Sequence, residues 1–281
     1  MPGTLFVVAT PIGNLEDITM RALRVLREAT LIAAEDTRRT SHLLARYAIQ
    51  TPTTSLHEHN EGRKAAALVA RLVAGESVAL VSDAGTPTIS DPGQHLIRQA
   101  LDAGIRVEPV PGPNAAIATL AVSGFETDAF TFLGFPPTRS KDRKRWLERL
   151  CASGPVVVFY EAPHRIRRTL ADLLTVVGDG QVVIGRELTK KHEELVRGPI
   201  SIALNSLAEP KGEFTIALKI GRITNNGERV LPSDSSILAE FGHATKCAEL
   251  SRREILISLA EKYGMTPNDM YAAIERAKKL G

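Results

Sequence analysis

The segment Val81-Ser82-Asp83-Ala84-Gly85-Thr86-Pro87-Thr88-Ile89-Ser90-Asp91-Pro92-Gly93 crowds carboxylates, hydroxyls, glycines and prolines into one short stretch. Ala84 and Gly85 leave room for a ligand to approach the backbone, and Pro87 and Pro92 stiffen the loop. A tight turn with a helix cap accounts for Ser90 to Gly93, with Asp91 expected to cap the next helix and Pro92 at its first position. Asp83 to Thr88 is longer and more polar than a plain connection needs, so it reads as a ligand-binding loop.

A second small-residue loop, Thr10-Pro11-Ile12-Gly13-Asn14, follows the apolar run Leu5 to Ala9. Neither a G-x-G-x-x-G fingerprint nor a Walker A sequence is present, which takes weight from dinucleotide and triphosphate ligands. Glu35-Asp36-Thr37-Arg38 closes another apolar run, where acids also suit the positive end of a helix. His57-Glu58-His59-Asn60 holds ligating side chains without a recognised metal spacing, and no metal is expected. Basic residues gather at Arg139 to Arg149, at His164 to Arg168 and at Arg186 to Lys191. Any one cluster reads as a solvated face; all of them in one half of the chain favour a polyanionic partner.

Strands and helices must carry these residues. Leu5 to Ala9, Leu31 to Ala34, Thr53 to Leu56, Ser77 to Val81 and Val107 to Val110 predict strands. Helices are predicted at Ile18 to Glu28, from Thr37 through Tyr47, at Glu61 to Val73, at Gln94 to Leu101 and at Ala115 to Val122. The alternation predicts a parallel sheet covered on both faces, with ligand loops at the carboxyl ends of its strands. Beyond a polar break at Ser123 to Asp128, strands are predicted at Phe130 to Phe135, Val156 to Tyr160, Val182 to Glu187 and Phe214 to Ile220. Helices between them fall at Lys141 to Cys151, Arg165 to Val177 and Ile200 to Leu207. The organisation expected is an α/β domain over 1–122, a second over 123–223, a linker over 224–235 and a small helical module over 236–281. In that module helices at Ser251 to Tyr263 and from Thr266 to Lys279 read as a helix-turn-helix or a packed helical hairpin.

The 281 residues are 43% hydrophobic and 24% charged with a net charge of +3, an ordinary globular composition. No apolar run reaches bilayer length, and the first residues lack the pattern of a signal peptide. Cys151 and Cys247 sit in no CxxC or metal-ligand pattern, so a reducing, cytoplasmic location is expected.

Ser82 to Gly93 resembles the signature of the bacterial small-subunit ribosomal RNA methyltransferase I family. Ala9-Thr10-Pro11-Ile12-Gly13-Asn14-Leu15-Glu16-Asp17-Ile18-Thr19, Ala34-Glu35-Asp36-Thr37-Arg38, Tyr160-Glu161-Ala162-Pro163-His164-Arg165 and Gly185-Arg186-Glu187-Leu188-Thr189-Lys190 are similar to that family in the same order. The resemblance implies an S-adenosylmethionine enzyme of the tetrapyrrole-methylase-like class, with two α/β domains, the cofactor in the cleft between them, and a homodimer. It also implies 2′-O-methylation of a cytidine in the decoding region of 16S rRNA, with the rRNA or the small ribosomal subunit as partner and no membrane. Carried over residue by residue, the cofactor loops of the class resemble Pro11, Ile12 and Gly13, then Asp83, Ala84, Gly85 and Thr86 with a further contact at Ile89. Asn114 and Ala115, and Glu161 and Leu188 in the second domain, complete the implied set. Thr86 stands where corrin-forming relatives carry an acid and Asn114 where they carry threonine, so backbone groups rather than those side chains are expected to hold the cofactor.

Such a transfer needs oxygen, methyl carbon and sulfur in line, and a base for the hydroxyl proton helps. Asp36, His57 and His164 follow strands and are the candidate bases, although a cap or a phosphate contact explains each as well. Arg38, Arg165 and Arg186 are expected to clamp RNA phosphates, and Arg143, Lys144 and Arg145 to bind RNA along the basic stretch. A porphyrin or corrin C-methyltransferase would need neither that stretch nor a helical tail. A non-catalytic RNA-binding protein would not need the intact small-residue loops.

Overall fold

Strand and helix alternate through the first half of the chain: β1 (Thr4–Val8), α1 (Met20–Glu28), β2 (Leu31–Ala34), α2 (Thr37–Arg46), β3 (Thr53–Ser55), α3 (Glu61–Val73), β4 (Val78–Val81), α4 (Gln94–Asp102), β5 (Arg106–Val110) and α5 (Ala115–Ala121). This is a computed structural model, in which residues 2–207, 211–220, 234–247, 251–263 and 266–280 are described. The strands pair in parallel in the order β3-β2-β4-β1-β5. Every residue of β2 and β4 is buried, as continuous apolar runs require when helices cover both faces. Leu26, Ile32 and Val81 pack on one face, and Leu5, Leu72, Leu80 and Leu96 on the other.

The second half continues with β6 (Thr131–Phe132), α6 (Ser140–Ala152), β7 (Val156–Glu161), α7 (Ile166–Val177), β8 (Gln181–Arg186), β9 (Glu194–Pro199), α8 (Ile200–Ser206) and β10 (Phe214–Lys219). Its sheet runs β6-β7-β10-β8-β9, with β6 parallel to β7 and every other pair antiparallel. The last strand in sequence is therefore the middle one in space. β9 is an addition to the expected elements. Its sequence, Glu194-Leu195-Val196-Arg197-Gly198-Pro199, is polar and ends in Gly-Pro, as suits an edge strand with one partner.

Trp146, Phe159, Leu170 and Ile216 fill the core under α6 and α7. The opposite face of this sheet is covered from the first half of the chain: Ala116 and Leu120 of α5 pack on Val158, Val183 and Ala217. That helix ties both sheets into one compact unit, Met1–Ile220.

Gly221–Gly281 is a unit of its own. The expected linker lies outside the described residues as far as 233, and α9 (Asp234–Cys247) begins at its end, a helix not separately expected. With α10 (Arg252–Tyr263) and α11 (Pro267–Leu280) it shares a core of Ile237, Leu259, Met270 and Ile274. Thr266 caps α11 by accepting from the Asp269 N–H at 3.2 Å, and Pro267 stands first in the helix. Among the described residues no helix is long and apolar enough to cross a membrane.

Candidate active site between the two sheets

The loops after β1 and β4 are joined through their backbones. The Thr10 N–H donates to the Gly85 carbonyl at 2.8 Å, and the Gly85 N–H returns the bond at 3.0 Å. Gly85 has φ +82°, a conformation that side chains with a Cβ resist. Farther along, Thr88 (φ 73°) and Ser90 (φ 68°) are left-handed although neither is glycine, and they flank Ile89. The loop after β8 repeats the device: Glu187 (φ 50°) and Thr189 (φ 64°) flank Leu188. Each such residue costs about 1–3 kcal/mol, and such strain clusters at functional sites. Ile89 and Leu188 line a single cavity of about 390 Å³ between the sheets.

The structure brings most of the expected cofactor residues to this cavity. From the first sheet Ile12, Asp83, Ala84, Gly85, Thr86 and Ile89 line it, together with Asn114 and Ala115. Glu161 and Leu188 line it from the second. Pro11 and Gly13 do not. Pro11 faces a smaller neighbouring cavity that shares Arg39 and Asp83 with the first. Gly13 packs against the second sheet's loop, where an added Cβ would come within 2.5 Å of Lys190 Cγ. Beside it, the Asn14 N–H donates to Thr189 Oγ1 at 2.9 Å. Asn114 caps α5 through the Ile117 N–H at 3.2 Å.

Carboxylates crowd the first-sheet wall. Glu35 accepts from the Asp83 N–H at 3.3 Å, and Asp83 accepts from the Asp36 N–H at 2.9 Å. Burial pushes the Glu35 carboxyl above its ordinary range. Asp91 is raised further, to about 7, first by burial and then by the charge of Glu35, with Asp83 adding to it and a hydrogen bond from Ser82 opposing. The expectation that Asp91 caps α4 is corrected: Gly93 is the N-cap residue and offers no side chain. The buried Glu61 of α3 takes the N–H groups of His95 (2.8 Å) and Leu96 (3.2 Å) instead. Asp91 is thereby left to the cavity.

None of the candidate bases lines the cavity. Asp36 caps α2 through the Arg38 N–H at 2.8 Å and binds the Arg38 guanidinium at 2.7 Å, which holds its carboxyl well below the usual range. His57 Nε2 lies 2.9 Å from Asn60 Nδ2, and His164 is exposed. Arg143 needs correction as an RNA contact. It is buried beside Trp146 and Leu150 on the inward face of α6, donating to Asp172 at 2.8 Å and Thr169 Oγ1 at 2.9 Å. Thr169 in turn donates to the buried Glu161, which also accepts from the Ala162 N–H and from Arg165 at 2.7 Å. Arg143 and Arg165 thus brace the wall that Glu161 forms. Arg186 donates to the Lys211 carbonyl at 2.8 Å and to Glu194 at 3.0 Å. Lys144 and Arg145 are exposed, as is Arg38.

Sequence reasoning missed Glu35 and Asp91 as wall residues, and Phe135 and Tyr160 opposite them. Glu35 and Tyr160 sit inside motifs already singled out. Asp91 carried no separate signal, because the left-handed turn that redirects it is built from ordinary Thr and Ser.

The model of the tetrapyrrole (corrin/porphyrin) methylase family matches residues 4–203. A ribosomal RNA small subunit methyltransferase I of Halalkalibacterium halodurans is 43% identical over 275 residues, covering 96% of this chain and 93% of the relative. The protein of that name from Pseudomonas aeruginosa is 42% identical and covers 99% of both chains. The chain belongs to this family. In Thermotoga maritima a family member at 48% identity covers 77% of this chain but 98% of its own length, so a protein of this name does without part of this chain. The fold is that of the tetrapyrrole methylases. A diphthine synthase structure superposes with a TM-score of 0.61 at 14% identity, covering 78% of this chain and 90% of its own. A uroporphyrin-III C-methyltransferase of Thermus thermophilus, complexed with S-adenosyl homocysteine, gives 0.57 at 17% identity, covering 77% and 97%.

Proposed function

We propose that this protein transfers the methyl group of S-adenosylmethionine to the ribose 2′-hydroxyl of a cytidine in the decoding region of 16S rRNA. It does so as a cytoplasmic homodimer acting on the rRNA or the small ribosomal subunit. The observation that carries the reading is the convergence, in one cavity of about 390 Å³, of both sheets' loops in a chain of this family. That volume lies in the range of small-molecule sites.

The wall suits this cofactor on its own terms. Gly85 opens the backbone, for a Cβ there would fill space toward Ile12 Cγ2 (3.5 Å) and the Pro113 carbonyl (3.7 Å). Ile12, Ile89 and Leu188 offer apolar surface to an adenine, and Glu35 and Asp83 offer negative charge to a sulfonium. When bound, the cofactor supplies an activated methyl group. The chain's part is to hold the acceptor hydroxyl in line with it and keep water out.

Arg38, Lys144 and Arg145 are the exposed cations we assign to RNA phosphates, and the C-terminal helices to docking of the ribosomal substrate. Arg252 and Arg253 are exposed there, while the side chain of Lys279 lies outside the described residues. The test is a map of ribose methylation in 16S rRNA from cells with and without the protein, repeated in vitro with S-adenosylmethionine. Loss of one 2′-O-methyl cytidine on deletion, restored by the purified protein, is the expected result. An unchanged map would refute the reading.

A further inference from the structure

Resting on that reading, the geometry points to Asp91 as the general base that takes the proton from the ribose hydroxyl as it is methylated. Three observations carry this. Asp91 lines the cavity and has no helix-capping duty, since Glu61 satisfies the N–H groups of His95 and Leu96. Left-handed Ser90 stands immediately before it and left-handed Thr88 three residues before, so the strained turn that carries Ile89 into the cavity brings Asp91 with it. The residues first favoured as bases, Asp36, His57 and His164, line no part of the cavity.

The surroundings tune Asp91 for the task. Burial, Glu35 and Asp83 all disfavour its charged form, the Ser82 hydroxyl favours it, and Tyr160 on the opposite sheet lies within electrostatic reach. Arg39, the cation on the same wall, is engaged with Asp83 at 3.5 Å. A carboxylate near neutrality is a better proton acceptor than one at its ordinary value. In the step, the ribose oxygen forms its bond to the methyl carbon as the carbon–sulfur bond breaks, and the bonding pair stays on sulfur. The hydroxyl proton passes to the Asp91 carboxylate, so a cation and an anion become two neutral groups.

The experiment compares wild type, Asp91→Asn and Glu35→Gln. Asp91→Asn should bind S-adenosylmethionine within a few-fold of wild type by calorimetry yet methylate 16S rRNA about 100-fold more slowly or worse. Wild-type methylation should rise with pH to a plateau with a midpoint near 7. Carbon-13 NMR of the free wild-type protein should show the Asp91 carboxyl titrating at the same midpoint. Glu35→Gln removes a neighbouring negative charge and should move both midpoints down. Asp91→Asn with wild-type rate and pH profile overturns the assignment, as does an Asp91 titration below about pH 5. Should Asp91→Asn fail to fold, unmoved midpoints in Glu35→Gln overturn it equally. A wild-type protein that binds S-adenosylmethionine but methylates no 16S rRNA overturns the proposed function itself, and the base with it.

Discussion

The loops after β4 and β8 use the same backbone device and opposite electrostatics. In each, two left-handed residues that are not glycine press one apolar side chain into the cavity. Around the first, carboxylates stand together and Glu35 and Asp91 are raised. Around the second, charges are matched. Lys190 bridges Glu187 and Glu213 at 3.0 Å each, and the Thr189 N–H is held by Glu193. Burial alone would raise Glu187, but its bonds to Lys190 and the Glu213 N–H outweigh this and leave it lowered. The difference teaches that one wall is built to react and the other to hold.

The strongest way to break the first wall is at Gly85. Its replacement by Val puts a β-branched side chain at φ +82° and into the space above Ile12. We expect S-adenosylmethionine affinity to fall about 100-fold, the equivalent of about 3 kcal/mol of strain and lost contact. Unchanged calorimetric affinity in a folded variant would sink the assignment of this loop. Next in size is Arg143→Ala, which strips Asp172 of its partner inside the brace behind Glu161. Urea unfolding should show a loss of about 3 kcal/mol. Lys144→Ala, one residue along on the exposed face, should stay within about 0.5 kcal/mol. Equal losses at the two positions would contradict the inward placement of Arg143.

Asp91→Asn sharpens the comparison from the side of stability. A carboxyl raised from 3.8 to about 7 stabilises the folded state only while it is protonated, so wild-type stability drains away as pH rises across that window. The variant should melt about 2–4 °C above wild type at pH 8, with the gain fading toward pH 4. A thermal scan showing the opposite pH trend would remove the charge crowding from the account. A smaller effect is expected at Lys190→Met, which releases Glu187 on the matched wall. A lowered carboxyl contributes above its ordinary value and loses that contribution as pH falls through its folded value. The pair is partly exposed, so the cost at pH 7 should be about 0.5–1 kcal/mol, vanishing in acid and shrinking with salt. A loss that ignored both pH and salt would point to packing instead.

Much of the architecture was readable because apolar runs and helical stripes are local signals. Leu31 to Ala34 and Val78 to Val81 announce buried strands by composition alone. β9 escaped because an edge strand need not be apolar. Arg143 was misjudged by charge although its spacing to Trp146 and Leu150 placed it on the core face; the pairing that lets an arginine be buried lies in Asp172, far along the chain. Asp91 was misjudged by a rule of local capping, when the cap came from Glu61 in another helix. What the sequence hides in both cases is a partner supplied from a distance.

The position of β10 sets an order of events for the nascent chain. The second sheet places its final strand, Phe214–Lys219, between β7 and β8. As synthesis proceeds from the amino end, the parallel first sheet has all its strands by Val110, while β7 and β8 must wait with their facing edges unpaired. Open edges of this kind invite pairing with other chains. The vulnerable period of this protein is therefore the interval between the emergence of β8 and that of β10. Any truncation before Phe214 would make that interval permanent.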